Sequence, residues 1–137
     1  MAAGNRKKVF LVDDEEISLA IARNVLETNY EIITARSGKE ALEKITQGGI
    51  TPDLILLDII MPNMDGWETF NRLKAISFLK EIPIAFLTIV NENNERKHAE
   101  EIGASDYITK PYETEELTRR VGAIIEKQEK KKTRQAL

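Results

Sequence analysis

Residues 54–57 read Leu-Ile-Leu-Leu and are followed directly by Asp58, and this stretch decides the fold class. A short, uninterrupted apolar run is typical of a β-strand buried on both faces, as in a parallel sheet covered by helices. Pro52 and Asp53 precede the run, and the loop 61–66, Met-Pro-Asn-Met-Asp-Gly, follows shortly after it. We therefore predict a central parallel strand that ends on a carboxylate.

Strands and helices are predicted in regular alternation on both sides of this strand. After a strand at 9–12, Ile17, Ile21 and Val25 recur at helical spacing, and Leu19, Ala22 and Leu26 widen that apolar stripe. Such an alternation predicts an α/β fold, a doubly wound five-stranded parallel sheet with helices on both faces. The predicted strands are 9–12, 30–35, 54–57, 84–87 and 107–109.

Composition excludes several classes of site. The chain has 137 residues, no cysteine and one histidine, which excludes disulfide scaffolds, thiolate zinc sites, a cysteine nucleophile and a multi-histidine metal centre. The net charge of −3 is not that of a protein that binds nucleic acid directly. Apolar runs are too short for a membrane span or a signal peptide, so we expect a cytoplasmic protein.

Charge is distributed unevenly along the chain. Five basic and two acidic residues lie from Glu126 onward, so this segment carries +3 and the preceding 125 residues carry −6. No apolar residue recurs between Lys127 and Ala136. We therefore predict a disordered N-terminus at 1–6, one domain at 7–127, and a basic, solvated tail or linker at 128–137.

Polar residues with matching chemistry occupy the predicted strand ends. In a doubly wound sheet, the functional site lies outside the carboxyl ends of the strands. Strand 1 ends in Asp13 and Asp14, strand 3 in Asp58, strand 4 in Thr88 and strand 5 in Lys110. The topology is therefore expected to gather three carboxylates, a hydroxyl and an ammonium group at one edge.

This set of groups suits phosphoryl transfer to a carboxylate. Three neighbouring carboxylates repel one another, and an oxygen-only ligand set favours Mg²⁺ as the neutralising cation. An ionised aspartate can act as the nucleophile and form an aspartyl phosphate. Thr88 and Lys110 are the residue types that donate to the phosphoryl oxygens as negative charge develops there.

Several stretches together resemble a known family. They are Val12-Asp13-Asp14-Glu15, the segment from Asp58 to Gly66, Leu87-Thr88, and the segment from Gly103 to Pro111. With these motifs in this order, residues 7–127 resemble the receiver domain of response regulators in two-component signal transduction, close to the chemotaxis regulators. The resemblance implies a flavodoxin-like fold with strand order 2-1-3-4-5.

The resemblance also implies a role for each site residue. Asp58 would be the phosphoacceptor, taking a phosphoryl group from a phosphohistidine on a sensor histidine kinase or phosphotransfer protein. Asp14 would bind Mg²⁺ directly, Asp13 mostly through water, and Ile60 through its backbone carbonyl. Lys110, before an expected cis peptide bond to Pro111, would hold a phosphoryl oxygen.

Output is expected from a switch formed by Thr88 and Tyr107. The Thr88 hydroxyl would move toward the phosphoryl group, and the aromatic ring of Tyr107 would turn into the vacated space. This would change the face formed by helix 4, strand 5 and helix 5, through which a downstream protein or a second copy would bind. The predicted helix 91–101 has a weak apolar face, as expected of an element that moves.

Two residues depart from the usual family pattern. Ile89 follows the switch hydroxyl, where a small residue is usual, and Ile60 lies where some members have a polar residue that positions water. Both departures favour slow phosphorylation or slow dephosphorylation. We expect no enzymatic activity beyond slow Mg²⁺-dependent self-phosphorylation and autodephosphorylation.

Other interpretations of the sequence stay open. The chain could be a piece cut from a larger regulator or hybrid kinase. A flavin or nucleotide binder would need a phosphate loop where Asp13 and Asp14 stand. A metal-dependent phosphohydrolase would need a further general acid, and a phosphorylation-independent scaffold would not need the full acidic and basic set.

Overall fold

A computed structural model of the chain describes residues 6–136 and confirms the predicted architecture. Five parallel strands form one sheet in the order β2-β1-β3-β4-β5. The strands are β1 (Lys8–Val12), β2 (Glu31–Ala35), β3 (Leu54–Leu57), β4 (Ile84–Thr88) and β5 (Tyr107–Thr109), and the helices are α1 (Glu16–Leu26), α2 (Gly38–Thr46), α3 (Gly66–Lys74), α4 (Asn93–Glu101) and α5 (Thr114–Ala136).

The central strand β3 supplies side chains to both layers of the core. Leu54 and Leu56 pack with apolar residues of α1 and α5, whereas Ile55 and Leu57 pack with those of α2, α3 and α4. All four side chains are buried, because successive residues of a strand point to opposite faces and helices cover both. The continuous apolar run therefore has the predicted structural cause.

Helix α1 buries a different stripe from the one its spacing predicts. Leu19, Ala22 and Leu26 are buried, whereas Ile17 and Ile21 are exposed. The helix carries apolar residues over more than one face, and only one of these faces can pack on the sheet. The residues expected to widen the stripe are therefore its buried centre.

The segment 128–136, predicted as a solvated tail, is helical and continues α5. The last buried apolar residue of α5 is Ile125, but the helix extends to Ala136. Its extension contacts the base of the sheet, because Lys7 Nζ lies 2.7 Å from Glu129 Oε1 and Gln128 Nε2 lies 2.6 Å from the Glu81 carbonyl oxygen. Polar contacts therefore hold this part of α5 in place, although it lacks the apolar periodicity from which helices were predicted.

The predicted disordered N-terminus lies outside the described residues, except for Arg6. The Arg6 guanidinium donates to the carbonyl oxygens of Glu27 and Tyr30, in the connection between α1 and β2. Across residues 6–136, no helix combines the length and the apolar character that crossing a membrane requires.

Candidate functional site

The carboxyl ends of β1, β3, β4 and β5 bring the predicted site residues together. Asp13 and Asp58 directly follow β1 and β3, which are hydrogen-bonded neighbours, and the Asp58 N–H donates to the Val12 carbonyl at 2.9 Å. Asp13, Asp58 and Thr88 are buried polar residues. The topology rule therefore places these groups correctly from the sequence.

Asp58 is held by the backbone of its own loop. Its Oδ1 accepts hydrogen bonds from the N–H groups of Ile59 at 2.7 Å and Ile60 at 3.4 Å. The same loop returns at Gly66, where an added Cβ would lie 2.2 Å from the Asp58 carbonyl oxygen. The glycine is therefore required for α3 to begin against the backbone at the end of β3.

Lys110 joins two of the carboxylates. Its Nζ lies 2.6 Å from Asp13 Oδ2 and 3.3 Å from Asp58 Oδ2, and all three side chains are largely buried. Asp13 Oδ1 accepts from the Glu15 N–H at 3.0 Å. The Lys110–Pro111 peptide bond is cis, as the resemblance implies. The ammonium group thus neutralises part of a buried acidic cluster.

The two buried carboxyls respond differently to this environment. Burial acts to raise the pKa of Asp13, but hydrogen bonds from Lys110, Glu15 and Ser18 outweigh it, so the pKa is lowered. Burial raises the pKa of Asp58, and the opposing effects of Lys110 and Thr88 do not compensate. Burial also acts to lower the pKa of Lys110, but the two carboxylates raise it overall.

Three carboxylates form a candidate cation site. Asp13, Asp14 and Asp58 can each offer one oxygen such that these atoms lie within 4.8 Å of one another. After the positive charge of Lys110 is counted, the cluster retains excess negative charge in a partly buried position. An all-oxygen set with two buried members and the half-buried Asp14 fits a hard divalent cation.

Thr88 and Tyr107 both face the interior. Tyr107 is 7% exposed, and its hydroxyl donates to the Val90 carbonyl oxygen at 2.7 Å. The Thr88 hydroxyl accepts from the Val90 N–H at 3.3 Å and also acts to lower the pKa of Asp58. The Tyr107 ring therefore lies inward in this structure, and the coupled movement of Thr88 and Tyr107 stays a prediction.

An exposed apolar cleft borders the site and was missed by the sequence analysis. It has a volume of about 490 Å³ and is lined by Ile17 and Ile21 of α1 and by Lys110, Pro111 and Tyr112. Ile17 is 77% exposed. The signal was present in the sequence, because α1 has more apolar residues than one buried face can accept.

A family model described as the response regulator receiver domain matches residues 9–122. The chain belongs to this family. Receiver domains act in two-component systems and interact with histidine kinases or phosphotransfer proteins, and the acidic pocket of Asp13, Asp14 and Asp58 fits that chemistry.

Individual relatives agree with this assignment. The chain is 39% identical over 124 residues to the alkaline phosphatase synthesis transcriptional regulatory protein PhoP of Bacillus subtilis, covering 90% of this chain and 50% of PhoP. It thus spans about half the length of the curated relatives it matches.

Solved structures give the same result for the receiver fold. The Vibrio cholerae chemotaxis protein CheY4 has a TM-score of 0.80 and 29% identity, over 87% of this chain and 98% of CheY4. A CheY-like receiver domain protein from Methanospirillum hungatei has a TM-score of 0.82 and 27% identity, over 93% of this chain and 99% of that chain.

Proposed function

We propose that Asp58 accepts a phosphoryl group from a phosphohistidine of a sensor histidine kinase or phosphotransfer protein. The observation that carries this proposal is the contact of Lys110 with both Asp13 and Asp58. An ammonium group at this position holds the acceptor carboxylate ready and can then bind an oxygen of the incoming group. The Thr88 hydroxyl lies in the same site and can donate to another oxygen of the phosphoryl group.

The phosphoryl transfer needs no reactant besides the donor phosphohistidine, Asp58 and solvent. A carboxylate oxygen of Asp58 forms the new P–O bond while the P–N bond of the donor breaks. The histidine nitrogen keeps the electron pair of that bond and is then protonated by solvent. Lys110 and Thr88 hold the phosphoryl oxygens, so the acyl phosphate is kept until water hydrolyses it. We therefore infer no enzymatic activity beyond slow self-phosphorylation and autodephosphorylation.

Mg²⁺ is the cofactor that we propose for this site. Asp14, Asp58 and the Ile60 carbonyl would hold the ion, with Asp13 acting mainly through water. When bound, the ion neutralises negative charge on the carboxylates and the phosphoryl oxygens. A thermal melt tests this assignment, since Mg²⁺ should raise the Tm of the wild type and raise that of Asp14→Asn much less.

The cleft beside α1 supports approach of a protein donor. Ile17, Ile21 and Tyr112 give it an apolar wall, and Lys110 connects it to the acceptor carboxylate. A helix of the donor that buried these isoleucines would bring its phosphohistidine to the rim of the site. We propose that the domain works in the cytoplasm and contacts neither a membrane nor nucleic acid directly.

The face formed by α4, β5 and α5 is the proposed output surface. A groove of about 410 Å³ lies there, lined by Arg96, Asp106, Tyr107 and Arg120, with further residues of α4 and the loop that follows it. Its charges have both signs, which suits a polar protein partner or a second copy related by two-fold symmetry. The partner and the activity of any longer protein are part of this proposal.

Incubation with Mg²⁺ and acetyl phosphate, followed by intact-mass measurement, tests the phosphoacceptor function. We expect one phosphoryl adduct on the wild type and none on Asp58→Asn. Asp53→Asn is the matched control, because Asp53 lies just before the opposite end of β3 and accepts from the Lys8 N–H at 2.8 Å. An unmodified wild type, or an adduct that persists in Asp58→Asn, contradicts the proposal.

A further inference from the structure

Helix α4 is attached to the domain by few apolar contacts. Ala99 is its one buried residue, whereas each of the other four α-helices of residues 6–136 buries at least three. The contacts of its partly exposed side chains therefore decide where it sits. Two of these contacts involve aromatic rings, one between His98 and Trp67 and one between Arg96 and Tyr107.

Arg96 covers the ring of Tyr107. The centre of its guanidinium group lies 5.0 Å from the ring centroid, within the range of an attractive cation–π contact. The same guanidinium group donates twice to Asn91 Oδ1, from Nε at 3.1 Å and from Nη2 at 3.0 Å. Asn91 lies in the loop between β4 and α4, so these two hydrogen bonds hold the planar guanidinium group over the ring.

The Tyr107 ring and its hydroxyl also have contacts with β4 and with the loop that follows it. The centroids of Phe86 and Tyr107 lie 6.1 Å apart, and the Tyr107 hydroxyl donates to the Val90 carbonyl oxygen. Tyr107 is thus enclosed by β4, by the β4–α4 loop and by α4. Arg96 forms the part of this enclosure that comes from α4, the helix with one buried residue.

We propose that Arg96 is a positioning residue for the switch, stabilising the inward position of the Tyr107 ring and coupling that position to α4. This inference rests on the proposed function only in giving the ring a role in output. The contact favours one of two ring positions, so it changes their populations without touching the phosphoryl group. In the unphosphorylated protein, Arg96 then holds part of the population in the output-competent arrangement.

The rate at which Tyr107 is acetylated by N-acetylimidazole reports the ring position. An inward ring, with its hydroxyl bonded to Val90, is protected, so modification proceeds from the outward position. Peptide mass spectrometry separates Tyr107 from Tyr30 and Tyr112, which serve as internal references. A change in overall stability alters all three rates, whereas a change in the switch alters Tyr107 alone.

We expect Arg96→Ala to raise the Tyr107 rate about threefold, a change typical of losing one exposed cation–π contact, with no change at Tyr30 or Tyr112. Arg96→Lys should fall between it and the wild type, because the cation stays while the planar fork to Asn91 is lost. Lys97→Ala is the matched control, since it removes the same charge from the adjacent exposed position and should leave the rate unchanged.

Two results overturn the inference. One is a Tyr107 rate in Arg96→Ala equal to that of the wild type, and the other is an equal increase in Lys97→Ala. Neither depends on phosphorylation. A failure to form the acetyl phosphate adduct would therefore remove the phosphoacceptor function and leave the comparison of ring positions intact.

Discussion

Lys110 Nζ lies 2.6 Å from Asp13 Oδ2, although 97 residues separate them in the chain. The side chains are 12% and 8% exposed, so this is an ion pair largely removed from water. A buried pair of this kind costs desolvation energy, and breaking it leaves an uncompensated charge behind. The pair is therefore a sensitive place to test the electrostatics of the site.

Lys110→Met should destabilise the domain when no divalent cation is present. The methionine fills a similar volume, but Asp13 and Asp58 are then buried without their counter-charge. We expect the free energy of unfolding in EDTA to fall by roughly 3 kcal/mol, the usual scale for removing one partner of a buried pair. Urea denaturation followed by circular dichroism measures this change.

Mg²⁺ should restore part of the stability lost in Lys110→Met, because the cation supplies the missing positive charge. Lys130→Met is the control, since Lys130 pairs with Glu126 on the exposed side of α5. An Lys110→Met variant as stable in EDTA as the Lys130→Met variant would show that the carboxylates do not need the ammonium group.

The two buried carboxyls predict opposite effects of amide substitution. The lowered pKa of Asp13 means that its ionised form stabilises the fold above its ordinary value of 3.8, and that this contribution is lost as the pH falls through the folded value. The raised pKa of Asp58 means that its ionised form costs stability at neutral pH, and that this cost disappears as the pH falls toward 3.8.

At pH 7 in EDTA, Asp58→Asn should therefore stabilise the domain by roughly 1 kcal/mol, whereas Asp13→Asn should destabilise it by roughly 1–3 kcal/mol. At pH 4.5 the gain from Asp58→Asn should shrink, while the loss from Asp13→Asn should persist. Urea melts at both pH values measure the two differences. Equal and pH-independent effects of the two variants would contradict the assigned directions.

Ile89 and Ile60 predict a slow phosphoryl cycle. Both side chains are exposed, 62% and 54%, in the loops that leave Thr88 and Asp58. A branched side chain in that position limits the approach of water and of a small donor. Ile89→Ala should shorten the lifetime of the aspartyl phosphate by about two- to tenfold, a change in barrier of about 0.4–1.4 kcal/mol.

A mass-spectrometric time course after removal of acetyl phosphate measures the lifetime in Ile89→Ala. Ile17→Ala is a suitable control, because Ile17 is also exposed but belongs to α1 and lines the cleft beside the site. Unchanged phosphorylation and dephosphorylation rates in Ile89→Ala would end this explanation of the departure from the family pattern.

The group of site residues at the carboxyl edge of the sheet was predictable, because the local sequence indicates where each strand ends. The apolar run Leu54–Leu57 followed by Asp58 predicts a buried parallel strand that ends at this carboxylate. The topology then brings Asp13, Thr88 and Lys110 to the same edge of the sheet. Contacts between side chains were not predictable in the same way. The guanidinium of Arg96 lies over Tyr107 because α4 and β5 contribute Ala99 and Tyr107 to the same apolar cluster, and no spacing in the sequence specifies that contact.

Apolar periodicity failed where a helix has two apolar faces or none. In α1 it did not distinguish the exposed Ile17 from the buried Leu19, since both belong to helical stripes. In α5 it ended at Ile125, although the following residues are good helix formers without glycine or proline. Polar contacts with distant segments decide the second case, and they are invisible to a periodic pattern.

The extension of α5 should be a protected helix that is weakly attached to the base of the sheet. Lys7 pairs with Glu129 at 2.7 Å and Lys131 with Glu81 at 3.1 Å, but all four side chains are more than a third exposed. Solvent screening limits such pairs, so the coupling energy from a Lys7→Ala and Glu129→Ala double-mutant cycle should be about 0–1 kcal/mol and should decrease in 1 M salt.

Hydrogen exchange of peptides spanning 126–136 gives the more direct measurement. We expect slowed exchange in the wild type and faster exchange in Glu129→Ala, because losing the tether to Lys7 lets the helix end open more often. Lys130→Ala, which loses only the exposed pair with Glu126, should change the exchange much less. Exchange at unprotected rates in the wild type would instead support the solvated tail that the apolar pattern predicts.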